Sequence, residues 1–198
     1  DLDKTQTRHR IIFFDGIHEW APVSTMNIAF AGLQLDAMWA KIIPFDNAFI
    51  SSYSTDSRKR IDENINATQY LNAENECKLS VNMLDGLSND VNWFKEKDAS
   101  LNNNPAYKKQ WKAKQNLLII EQNLKVAYEK QLGLGGMNFW IKTIKDIVAR
   151  ANAPTNEGAM HTRCNAYLTW AFYSIINELK TRYRHAAAPN FVNTTQCI

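Results

Sequence analysis

Between Asp46 and His185 the chain passes through one helical pattern after another, broken at Pro105, at the cluster Gly133, Gly135 and Gly136, and at Pro154. No stretch repeats the two-residue alternation of apolar and polar side chains that marks a half-buried strand. With 7 glycines in 198 residues, the chain also has no glycine-rich loop after a strand where a phosphate would sit. The pattern allows an all-α fold and carries none of the motifs that announce a chemistry.

A chain of this length, 45% apolar and 11% aromatic, buries a sufficient core without metals or disulfides. The expected architecture is a single helical domain over residues 1–198. It has an extended N-terminal segment (1–23), a bundle of five or six helices with the C-terminal helix at its centre, and an irregular tail (186–198). Residues 1–10 are polar and charged and are expected to lie loosely on the surface.

The first helix is expected from Ser24 to Ile43, capped by Ser24 or Thr25 and stopped by Pro44. Its apolar residues cover most of the circumference, which predicts burial on several sides and leaves Asp36 on one exposed edge or in need of a partner. Asp46 caps the next helical stretch, where Arg58, Lys59 and Arg60 face solvent. The seam Cys77, Val81, Leu84, Leu87, Val91 and Phe94 then follows in steps of three and four. Residues 46–98 therefore form one long helix or two in series, with a break near Asn72–Asn75. Asn104 and Pro105 start the next helix, since proline fits the first helical position. Its apolar stripe reads Ala113, Leu117, Ile120, Leu124 and Ala127, widened by Tyr107, Trp111, Leu118 and Tyr128, and the glycine cluster ends it. A helix over 137–151 buries Trp140, Ile141, Ile144, Ile147 and Val148. The last helix, from Asn156 to His185, has apolar residues on all sides from Leu168 to Leu179, and this predicts its central position.

One constellation has the residue types for chemistry. Glu157, His161 and Cys164 stand at steps of four and three on the face shared with Leu168 and Phe172, so an inward imidazole, thiol and carboxylate come together. Such a set binds zinc or forms a Cys-His nucleophile pair, and His18, Glu19 and Cys77 are the other ligands within the sequence. No ligand spacing supports a metal box. The simpler expectation is that Glu157 favours the positive helix N-terminus, His161 sits in the first turns near water, and Cys164 is a small core residue or half of a disulfide to Cys197. No catalytic residue and no cofactor is assigned.

Three cysteines permit one internal disulfide, and Cys197, close to the end of an unanchored tail, is expected to pair with Cys164 or Cys77. That pairing is the main reason to expect an extracytoplasmic, periplasmic or secreted, location. A formal charge of +3, from 23 basic and 20 acidic residues spread along the chain, selects no nucleic acid. The Ser24–Ile43 helix is interrupted by Asn27, Gln34, Asp36 and Lys41 and does not read as a membrane span. The functional expectation is a non-enzymatic interaction protein that presents a helix face or groove to a protein partner or to itself. The alternatives are an enzyme or metalloprotein around Glu157, His161 and Cys164, or a carrier of a small apolar ligand.

Overall fold

The computed structural model describes Lys4, residues 8–12, Phe14 and residues 20–187, with side chains through Tyr183. Among these residues there are seven α-helices and no strand: α1 (Val23–Trp39), α2 (Asn47–Asn66), α3 (Tyr70–Leu84), α4 (Val91–Asn103), α5 (Pro105–Leu132), α6 (Met137–Ala151) and α7 (Asn156–Ala187). The chain divides into two compact units, residues 1–111 and 112–198, described in turn.

The all-α class is as the sequence indicated, but there are seven helices where five or six were expected. Residues 46–98, read as one helix or two, fold as three. The first break falls at Ala67–Gln69, not at Asn72–Asn75, because Thr68 takes a left-handed backbone (φ 57°) and Asn72 is already in the first turn of α3. The second falls at Gly86. Its φ of 74° is one that glycine adopts without the cost a side chain incurs, and a Cβ there would come within 3.1 Å of the Trp39 indole nitrogen.

In the first unit α3 packs between α2 and α4 and also touches α1. Asp46 caps α2 as expected, its carboxylate accepting from the Phe49 N–H at 3.0 Å. At α1 the expected cap is absent. The Met26 N–H already bonds the Pro22 carbonyl at 3.0 Å, so Ser24 and Thr25 fall inside the first turn instead of before it. The helix also ends at Trp39, short of Ile43, where Lys41 turns left-handed (φ 58°).

The core of this unit has Phe94, Leu35, Met38, Ile61, Met83 and Leu84 fully enclosed. Burial on several sides of α1 was not found: Gly32, Leu35 and Met38 point inward, while Phe30, Leu33 and Trp39 are exposed. Gly32 lets α1 come close to its neighbours, since a Cβ would land 2.6 Å from an Arg10 nitrogen and 2.8 Å from the Met83 methyl. Asp36 is not simply an exposed edge. Arg8 and Arg10 reach it at 3.1 and 2.5 Å, and Arg8 also donates to the Asn82 carbonyl and, at 3.1 Å, to that of Met83. Residues expected to lie loosely therefore tie α1 to the last carbonyls of α3. Arg58 and Arg60 do not simply face solvent either. Arg58 donates to Asp90 at 2.8 Å, beside Ser54 at 2.6 Å, and Arg60 binds Glu76 at 2.7 Å.

In the second unit α6 and α7 pack together through a short connection, and the Thr155 hydroxyl caps α7 by accepting the Gly158 N–H at 3.0 Å. The enclosed core is small: Tyr128, Trp140, Ile147, Cys164 and Leu168, with Phe172 meeting Trp140 edge-on at 5.0 Å. On α5 the inward stripe is Leu117, Glu121, Leu124 and Tyr128, whereas Ala113, Ile120 and Ala127, expected on it, are exposed. On α6 Trp140 and Ile147 are buried as expected, but Ile141, Ile144 and Val148 are exposed. α7 is not surrounded. Leu168 and Ala171 are buried while Trp170, Tyr173, Ile176 and Leu179 face outward.

Candidate functional site

The residues singled out at the start of α7 are placed by local rules. The Thr155 cap begins the helix, Glu157 occupies its first turn, and steps of four and three then carry His161 and Cys164 inward. Glu157 stays largely in solvent, 3.8 Å from Arg150 Nη1 of α6 and 3.7 Å from His161 Nε2. The His161 side chain is 6% exposed, buried where a place near water was expected, and among the described residues neither ring nitrogen has a hydrogen-bond partner of normal geometry. Cys164 is fully buried and has no disulfide partner among the described residues, and the pKa of its thiol is pushed up by burial and by the nearby Glu121 carboxylate.

These three residues share a face, with the thiol in a setting that does not activate it. A thiol with a raised pKa is a poorer source of thiolate, which is the nucleophile and the metal ligand. No group of three or more His, Cys, Asp or Glu side chains among the described residues is arranged to hold a metal ion. His18 and Glu19, the further ligands considered, lie outside the described residues, as does Cys197 with its expected disulfide. Cys77 is buried in the first unit without a disulfide partner among the described residues, its thiol pKa pushed up to about 12 by burial and by Asp98.

The organised polar centre of the second unit was missed by the sequence reading. Glu121, on the inward stripe of α5, is 6% exposed. One of its oxygens accepts from Lys125 Nζ at 2.7 Å, and the other from Arg163 Nε and Nη2 at 2.9 and 2.6 Å. Burial pushes the Glu121 carboxyl up, but the hydrogen bonds from Arg163 and Lys125 outweigh it and hold the group below the usual carboxylate range. One turn on, the Tyr167 hydroxyl donates to Glu129, and Lys125 lies 5.6 Å from the Tyr167 ring. Every charge in this line has an opposite charge or a ring beside it. The arrangement ties α5 to α7, with Glu121 shared between Lys125 and Arg163. Its signal in the sequence was Glu121 itself, an acid in phase with Leu117, Leu124 and Tyr128. Nothing local pointed to Arg163.

No family model, no curated protein and no solved structure matches this chain.

Proposed function

We infer that the chain is a non-enzymatic interaction protein, working outside the cytoplasm, that presents an exposed apolar helix face to a protein partner. The observation supporting this is the outer face of α7. Tyr173, Ile176, Leu179 and Tyr183 fall within about a third of its circumference and are all exposed, Leu179 by 58% and Tyr183 by 75%. Isolated apolar residues on a surface are ordinary, but a run of them along one side over nearly three turns marks a binding surface. Tyrosine is also among the residues that anchor interfaces most often. Helix lengths explain why the face is bare. The 15 residues of α6 reach about 22 Å, while the 32 of α7 reach about 48 Å, so α7 outruns the helix beside it.

The test is a paired substitution, Ile176→Ser with Leu179→Ser, in protein carrying a photo-reactive residue at Tyr173. Expected is a single cross-linked species that disappears in the paired variant while the helical circular-dichroism spectrum is unchanged. Cross-linking that is absent, or that survives both substitutions, removes the reading. The location rests on the cysteines and is tested apart from it. Thiol counting on denatured, unreduced protein is expected to find one free thiol, and three would remove the case for an oxidising compartment.

A further inference from the structure

We propose that the cleft between α1 and α2 in the first unit is a binding site for a small organic cation, an apolar or aromatic body carrying one ammonium group. The cleft has a volume of about 320 Å³, at the lower end of small-molecule sites, and so suits a ligand of fragment size. Ile28 and Ala31 of α1 and Phe49 and Tyr53 of α2 supply apolar wall on both sides. Aromatic rings are the surfaces on which organic cations rest, through the negative face of the ring.

The charge of the cleft follows from which of its groups are already committed. Two charged residues line it, Asp56 and Arg60, both on α2. They stand four residues apart, the spacing at which an acid and a base on one helix normally pair. They are not paired. Arg60 turns instead to Glu76 of α3, with Nε at 3.0 Å and Nη2 at 2.7 Å from the same carboxylate oxygen, and donates to Ser57 as well. Lys59, the other base near Asp56 on its helix, lies 3.9 Å from Glu63. Asp56 is left exposed at the rim and, among the described residues, has neither ion pair nor hydrogen bond. The uncommitted charge of the cleft is one carboxylate beside an apolar wall, and the complement is an ammonium group on an apolar body. An anion of the same shape would meet Asp56 with no free cation to offset it.

The experiment uses ¹⁵N-labelled full-length protein, with 2-phenylethylammonium as probe and 2-phenylethanol as its neutral counterpart. Titration of the cation should give saturating amide shifts confined to the cleft-facing turns of α1 and α2, with a dissociation constant on the order of 1 mM. Asp56→Asn, a change at an exposed helix position, should weaken the cation about fivefold and leave the alcohol, the weaker ligand, unaffected. Ser52→Phe, which places a ring in the cleft from another exposed position, should abolish binding of both. Shifts that fail to saturate, that appear chiefly on α5 to α7, or that are indifferent to Asp56→Asn would overturn the proposal, as would full binding by Ser52→Phe.

Discussion

The two units enclose their apolar residues to different degrees. In the first, side chains from α1 to α4 meet in a core with many members of zero exposure, Phe94, Leu35, Ile61, Met83 and Leu84 among them. In the second, seven buried apolar residues among those described serve three helices, and the surface keeps Leu118, Ile119, Ile120, Ile141, Ile144, Val148, Trp170, Tyr173, Ile176 and Leu179. What takes the place of a deep core there is the Glu121 centre, where one buried carboxylate holds Lys125 of its own helix and Arg163 of α7. The difference teaches that similar helical patterns can be stabilised in one place by enclosed volume and in another by directed polar contacts. The second kind leaves apolar faces free.

The largest effect expected is from Phe94→Ala. A fully enclosed ring that packs edge-on against Trp93 leaves a cavity, and the first unit should lose about 4 kcal/mol. Hydrogen exchange read by mass spectrometry separates the units, and faster exchange in α1 to α4 exceeding any change in α6 and α7 is the expected result. Equal losses in both units would break the comparison.

Glu121→Gln comes next. It removes the charge that Arg163 and Lys125 share, and should cost the second unit about 2 kcal/mol at neutral pH. Because the folded carboxyl is held below its ordinary value of about 4.3, its contribution is complete above that value and disappears as the pH falls through the lowered one. Denaturation curves collected from pH 6 downward should therefore converge for the parent and the glutamine variant in the acid range. A gap that persists there would mean that shape and not charge is what Glu121 supplies.

Asp36→Asn, which weakens the hold of Arg8 and Arg10 on α1, should cost the first unit about 1 kcal/mol, since both partners are near the surface. Urea titration measures it, and a loss as large as that of Phe94→Ala would place the first unit among the polar-held structures too. The smallest effect is expected from His161→Leu. The imidazole is buried without hydrogen bonds of normal geometry, so an apolar residue of similar size should be neutral or slightly stabilising, within about 1 kcal/mol. A clear destabilisation would show that His161 has a polar role.

What the sequence revealed and what it withheld divide along physical lines. Signals carried by neighbouring residues were readable. Asp46 caps α2, and Asn104 accepts the Ala106 N–H at 2.8 Å just as Pro105 opens α5, while α5 ends at Leu132 before the glycines. The seam from Cys77 to Phe94 is buried at Cys77, Leu84, Leu87, Val91 and Phe94, though two helices share it. Not readable was whether an apolar face has anything to cover it. Periodicity says which side of α7 Ile176 and Leu179 occupy, but cover depends on how long the neighbouring helices are. Pairings across long separations, such as Arg8 with Asp36 and Arg163 with Glu121, were equally hidden, because they obey no local spacing. The constellation of Glu157, His161 and Cys164 illustrates both cases: its shared face was legible, and the burial that keeps its thiol protonated was not.

The turn between α2 and α3 is closed by a residue from elsewhere in the first unit. Gln110, in the opening turns of α5, gives its amide N–H to the Thr68 carbonyl at 2.6 Å and takes the Tyr70 N–H on its oxygen at 3.1 Å. The side-chain amide thus does what a neighbouring strand would do, offering one donor and one acceptor to two peptide groups that the left-handed Thr68 has turned out of their helices. This makes the corner unfinished until a segment forty positions later arrives, so it belongs to the late events of folding, when distant parts of the chain have already met. A glutamate in that place would keep the acceptor and lose the donor, and the corner would close on one side only. The single amide proton of Tyr70 therefore reports whether the opening turns of α5 have docked, without any label on α5 itself.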